Sequence, residues 1–301
     1  MNVAVDDLNR RFGHPMGVMF TQSPLGGPVV TLAAAGAEVV VALQGAQVLS
    51  WLSDGTERLW LSSAARLGTD KAVRGGIPVC WPWFGPHPVD PDKPAHGFVR
   101  TRLWEVEDAR CTADNASITL SILTDDVDLA IWPHQAEARL TIAISGAATL
   151  SLALETENYG LAPFALSQAL HTYFRVGEIA SARVEGLDGC HYIDKVDQGA
   201  RKQTQGPVFI DQEVDRIYEG AKDPIRLVDA GRNAQIEIRS QGSRSAVVWN
   251  PWTAKTMRLG DMGSSEAYRQ MLCIETTNAG DDMVLVRPGD RHLLKASYRV
   301  A

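Results

Sequence analysis

The chain has 301 residues, 45% hydrophobic and 22% charged, with a net charge of −7. That is enough chain to bury a large core, in one domain or two. Acidic and basic residues are well mixed, which excludes the basic footprint of a nucleic-acid binder, so an anionic ligand must be gripped by a few placed cations.

The first residues, MNVAVDDLNRRFG, carry acids where a secretory signal needs a positive segment and an apolar run. No run approaches the ~18 apolar residues of a membrane span. A cytoplasmic protein with no membrane partner is expected. VDDLNRRF, residues 5–12, is a helix candidate. Beyond it, period-two alternation dominates and predicts strands. The runs are PVVTLAA from 28, AEVVVAL from 37, AQVLSWL from 46, SITLSIL from 117 and ARLTIAI from 138. In ATLSLALETEN, Leu150, Leu152 and Leu154 oppose Ser151, Ala153 and Glu155. FALSQALHTYFRV, QIEIRS, SAVVWN, MLCIET and MVLVR continue the pattern, and HLLKASYRV sets Leu294, Ala296, Tyr298 and Val300 against Lys295, Ser297 and Arg299. A second helix candidate, SSEAYRQM, starts at Ser264 with a serine N-cap. Turn residues separate the strands and no βαβ rhythm appears. The expectation is one all-β domain over residues 1–301, a large antiparallel sandwich with few short helices. Cys80, Cys111, Cys190 and Cys273 are scattered and read as reduced thiols.

One segment breaks the pattern. RGGIPVCWPWFGPHPVDPDKPAHGFVR, residues 74–100, holds six prolines, four glycines, two tryptophans and two histidines between two arginines. Its prolines restrict φ and its glycines let backbone pass close to a ligand. Trp81, Trp83 and Phe84 offer apolar faces for packing against a ligand or the core.

No phosphate-cradling glycine loop, dinucleotide fingerprint, H-E-x-x-H or G-x-S-x-G is present, which argues against nucleotide hydrolysis, hydride transfer and serine-esterase chemistry. No metal-ligand spacing stands out. His14, His87 and His292 sit in polar or turn-like contexts and read as solvent-facing; His134 reads as structural, and His191 as either. His96 lies between Ala95 and Gly97, where a ligand can approach. His171 is placed beside Thr172, Tyr173 and Phe174 in an apolar strand, where a hydrogen-bonded structural role and a catalytic one both fit. Glu275 follows Met271, Leu272, Cys273 and Ile274 and precedes a turn. Burial there would raise its pKa toward the range of a general base, although a salt-bridged structural acid fits as well.

RGGIPVCWPWFGP, AHGFVR, LHTYFRV, EVDRIY, VVWNPW and CIETTN together closely resemble the glucose-6-phosphate 1-epimerase (D-hexose-6-phosphate mutarotase) branch of the aldose 1-epimerase superfamily. The blocks stand in family order over about residues 30–298. The resemblance implies a galactose mutarotase-like β-supersandwich, cytoplasmic location, no cofactor and no metal. It implies interconversion of the α and β anomers of a hexose 6-phosphate, a small-molecule partner. It also implies roles. His171 protonates the ring oxygen and Glu275 takes the proton of the C1 hydroxyl. Asp215 holds sugar hydroxyls, and Arg74 and Arg100 hold the phosphate. His96 is a further sugar-orienting candidate, and Asp194 in YIDKVD is a reserve for Asp215. Ring opening needs one acid and one base, which a histidine and a desolvated glutamate supply. Two alternatives are a 1-epimerase of unphosphorylated aldoses and a non-catalytic carbohydrate-binding or regulatory protein. Oligomeric state is left open, with a monomer compatible.

Overall fold

Alternating side chains fold here into antiparallel sheet almost throughout. The computed structural model of the chain describes residues 4–68 and 70–301. Among them, one sheet of five strands runs from Val18–Gln22 to Thr56–Glu57. A nine-stranded sheet and an eight-stranded sheet form the body, with a two-stranded ribbon of Phe164–Leu166 and Val284–Val286 beside them. The nine-stranded sheet places Arg291–Val300, Thr149–Asn158, Ala136–Ser145 and Asn115–Leu123 side by side. Leu150, Leu152 and Leu154 face inward with Leu294, Ala296 and Tyr298, as period two requires. Their polar neighbours face outward. The expected all-β antiparallel sandwich is what the chain adopts.

The eight-stranded sheet positions the site. Its central strands are Val214–Glu219, Ser245–Asn250 and Met271–Asn278, all antiparallel. Met271–Asn278 is buried along its whole length. One face carries Leu272 and Ile274 into the main core between the large sheets. The opposite face carries Cys273 and Glu275 into the cavity region described below. Hydroxyl pairs stitch the two large sheets together, Thr172 Oγ1 to the Tyr298 hydroxyl at 2.6 Å and Ser240 Oγ to Thr276 Oγ1 at 2.9 Å.

Two local expectations change. FALSQALHTYFRV is not one strand but three short ones, Phe164–Leu166, Gln168–Leu170 and Tyr173–Arg175. At the break, the His171 N–H donates sideways to the Pro78 carbonyl at 2.9 Å, and the Tyr173 N–H to the Gly76 carbonyl at 2.9 Å. SSEAYRQM forms only a 3₁₀ turn, Ala267–Gln270. The buried Asn250 amide takes the Tyr268 carbonyl at 2.9 Å, an acceptor that a continuing helix would use itself. Helix Val5–Phe12 forms as expected, while Asp126–Ile131 and Trp252–Arg258 are additional. The first of these has a capping box in which Asp125 and Asp128 replace the usual Ser/Thr and Glu pair. No helix among the described residues is long and apolar enough to cross a membrane.

Candidate active site

Cross-strand register assembles the site. Asp215 lies opposite Trp249, Trp249 opposite Cys273, and Cys273 opposite Tyr173. Two residues along on the same face come Ile217, Val247 and Glu275, which are again directly paired. His171 sits two before Tyr173. Because side chains two apart share a face, one side of the sheet presents Asp215, Trp249, Glu275, Tyr173 and His171 together. They line a cavity of about 480 Å³ that also receives Arg74, Phe84, His96, Arg100, Lys255 and Asp261.

The segment 74–100 closes that cavity. Gly76, at φ +62°, lies so near Val48 that a Cβ would sit 2.0 Å from its carbonyl oxygen. Only glycine fits, and the backbone there receives the Tyr173 N–H. Gly97, at φ +74°, is pressed as closely on the Trp81 carbonyl, so the loop returns on itself. This doubling-back brings Arg74 and Arg100 to one cavity. Trp81 and Trp83 go to the core, where Trp81 Nε1 donates to Thr156 Oγ1 at 3.0 Å and Trp83 Nε1 to the Pro94 carbonyl at 2.9 Å. Of the three aromatics, Phe84 alone lines the cavity.

At the centre, His171 Nε2 stands 3.5 Å from Glu275 Oε1, with side chains 11% and 1% exposed. His171 Nδ1 and Glu275 Oε2 are buried and find no hydrogen-bond partner among the described residues. The imidazole stacks on the Tyr173 ring at 4.7 Å and 8°. Burial, helped by His96, Arg74 and Arg100, pushes the His171 pKa well below its ordinary value. Burial, helped by Asp215, pushes that of Glu275 well above. Both shifts favour the uncharged form of the group. His96 is held down to about 3 by burial, then by Arg100 and Arg74. Its Nδ1 accepts the Gly85 N–H at 3.3 Å, which leaves Nε2–H as a donor.

Charged groups surround this pair. Arg74 donates through Nε and Nη2 to Asp261 Oδ2 at 3.0 and 2.8 Å, and through Nη1 to the Tyr173 hydroxyl at 3.1 Å. Arg100 donates to the Ala95 carbonyl, while its buried Nε has no partner among the described residues. Asp215 lies 3.6 Å from Lys255 Nζ, and burial outweighs that cation to raise its pKa. The structure thus brings together Arg74, His96, Arg100, His171, Asp215 and Glu275, and leaves Asp194 out. The Asp194 carboxylate is occupied by Lys202 Nζ at 2.9 Å and by the turn N–H groups of Val196 and Asp197. Of the histidines read as solvent-facing, His14 is exposed. His87 is half-buried against Trp83, and His292 is half-buried 2.9 Å from Asn278 Oδ1. Lys255, Asp261 and Trp249 were missed. Lys255 and Asp261 reach the cavity from the segment after VVWNPW, which carries no motif of its own.

Among the described residues, one donor cluster has the geometry to surround an ion: His171, Cys273 and Glu275, whose ligand atoms lie within 4.8 Å of one another. Burial holds the Cys273 thiol protonated, well above its ordinary pKa, which opposes the thiolate that a metal would need. The arrangement fits proton transfer between buried groups better.

Residues 28–299 match the family model described as aldose 1-epimerase. The chain belongs to the aldose 1-epimerase family. It is 36% identical over 242 residues to a Cenchrus ciliaris protein named "Putative glucose-6-phosphate 1-epimerase", covering 78% of this chain and 72% of that one. A protein of the same name from Escherichia coli K12 is 35% identical over 81% of this chain and 80% of its own. Among solved structures, a "putative mutarotase" from Salmonella typhimurium superimposes with a TM-score of 0.87 at 29% identity, covering 95% of this chain and 94% of that one. The protein is an isomerase with a small sugar as substrate.

Proposed function

We propose that the protein interconverts the α and β anomers of D-glucose 6-phosphate, or of a closely related hexose 6-phosphate, through ring opening and closure. The observation that carries this reading is a buried acid–base pair, His171 and Glu275, in one cavity with Arg74 and Arg100. The chemistry is balanced within the pair. Protonated His171 gives its proton to the ring oxygen, and ionised Glu275 takes the proton of the C1 hydroxyl. The C1–ring-oxygen bond breaks with its electrons going to that oxygen, and the C1 carbonyl forms. Rotation about C1–C2 presents the other carbonyl face, and the same groups run backwards. No covalent intermediate forms.

Ring opening turns an imidazolium–carboxylate pair into a neutral imidazole and a neutral carboxylic acid. Burial favours this uncharged pattern for both groups, so the site is biased toward completing the transfer. Asp215 and the His96 Nε2–H are suited to sugar hydroxyls. Arg74 and Arg100 are the cations suited to a phosphate dianion, which would compete with the 48%-exposed Asp261 for Arg74. The names of the two curated relatives support the phosphorylated substrate.

The test is polarimetry on a freshly dissolved anomer. Arg74→Ala and Arg100→Ala should each lower kcat/KM for glucose 6-phosphate by about 10- to 150-fold, from about 1.5–3 kcal/mol per charge-assisted contact. Free glucose should show no comparable loss. Equal losses on both sugars would make the arginines structural and remove the phosphate reading. Rates no faster than a denatured control would favour the non-catalytic alternative.

A further inference from the structure

The cations that suit a phosphate are also set against the acid that must be protonated. His171 is faced by His96 at a ring-centroid distance of 5.8 Å. It is joined to Arg74 through Tyr173, whose ring stacks on the imidazole while its hydroxyl meets Arg74 Nη1 at 3.1 Å. Arg100 enters the same cavity from the turn Val99–Thr101, and its buried Nε has no partner among the described residues. From the other side come Glu275 and the Cys273 thiol on strand Met271–Asn278. Asp215, paired with Lys255, stands beyond Glu275. The guanidinium charges of Arg74 and Arg100 oppose an imidazolium at His171. Asp261 offsets Arg74 in part, but among the described residues no carboxylate pairs with Arg100.

We propose that a tetrahedral dianion seated between Arg74 and Arg100 activates the site as well as anchoring the sugar, because its charge cancels the two guanidinium charges and lets His171 carry the proton that ring opening consumes. The proposal rests on the hexose-phosphate reading and deepens it: the phosphate becomes a switch for the acid. The dianion need not be attached to the sugar. Free glucose, which brings no charge, leaves both guanidinium charges set against protonation of that acid. An anion supplied separately should repair this in trans.

Sulfate is the probe, since it is a dianion at neutral pH and does no acid–base chemistry of its own. Glucose mutarotation by the wild type is followed at constant ionic strength, with sulfate replacing chloride. Each pKa unit restored to His171 multiplies its protonated fraction by about 10, so saturating sulfate should raise kcat/KM for glucose about 10-fold or more. Arg100→Ala should turn over glucose faster than the wild type when sulfate is absent, and should no longer respond to sulfate. A second measurement needs no sulfate affinity. Imidazole ¹⁵N shifts of His171 are compared with bound 1,5-anhydroglucitol and with its 6-phosphate, neither of which has an anomeric hydroxyl to react. More imidazolium with the phosphate supports the proposal. Equal protonation in the two complexes, or sulfate that binds by calorimetry yet leaves glucose turnover unchanged or lower, overturns it. A wild type with no preference for glucose 6-phosphate over glucose would instead bring down the hexose-phosphate reading.

Discussion

Replacing Glu275 with glutamine should slow the enzyme and stabilise it at the same time. Glutamine matches the shape of the protonated acid, so no cavity opens around a side chain that is 1% exposed. What is lost is the base, at a cost of at least about 10²-fold in kcat. The stability effect follows from burial, which raises the folded-state pKa of Glu275 well above its unfolded value. Folded protein then holds a proton that unfolded protein releases, so wild-type stability falls as pH climbs from about 4.3 toward the folded value. Within that window each pH unit removes about 1.4 kcal/mol, and Glu275→Gln escapes the loss because an amide does not titrate. In a chain of this size, about 1.4 kcal/mol moves Tm by about 2–4 °C. The assay is a set of thermal melts of both proteins from pH 4 to 8, beside polarimetry. The curves should meet near pH 4 and separate upward, with the variant melting higher at pH 7.5. A variant that melts lower at pH 7.5 would refute the reasoning. It would mean that Glu275 is ionised in the resting protein and held by a charged His171.

Three further outcomes are expected. His171→Asn should also lower kcat by about 10²-fold or more, and combined with Glu275→Gln it should cost less than the product of the single losses, because the two groups act in one cycle. The wild-type rate should follow a bell in pH whose limbs belong to the coupled pair, the acid limb marking a second proton and the alkaline limb the loss of the shared one. Titrating steady-state rates of His171→Asn should show the alkaline limb gone. Gly76→Ala should lower stability by about 2 kcal/mol or more in denaturant unfolding, since it forces a Cβ at positive φ onto the Val48 carbonyl. An unchanged midpoint would mean that this backbone relaxes freely.

Period two in stretches such as ATLSLALETEN and HLLKASYRV fixed the strand faces from sequence, because alternation is a local property and Leu150, Leu152 and Leu154 have one buried side to go to. Six of the seven candidate site residues were legible in the blocks that carry the family resemblance, and they meet in one cavity. Tertiary structure decided the rest. Asp194 and Asp215 look alike along the chain, and only the register of Val214–Glu219 on Ser245–Asn250 puts Asp215 on the cavity face while Lys202 occupies Asp194. His171 stands in a broken strand because its N–H and that of Tyr173 are claimed by Pro78 and Gly76, about a hundred residues earlier. Lys255 and Asp261 carry no local pattern at all. Alternation and turn chemistry act between neighbours in sequence, whereas the field at His171 is summed over Arg74, His96, Arg100 and Glu275, which only the packed sheets bring together.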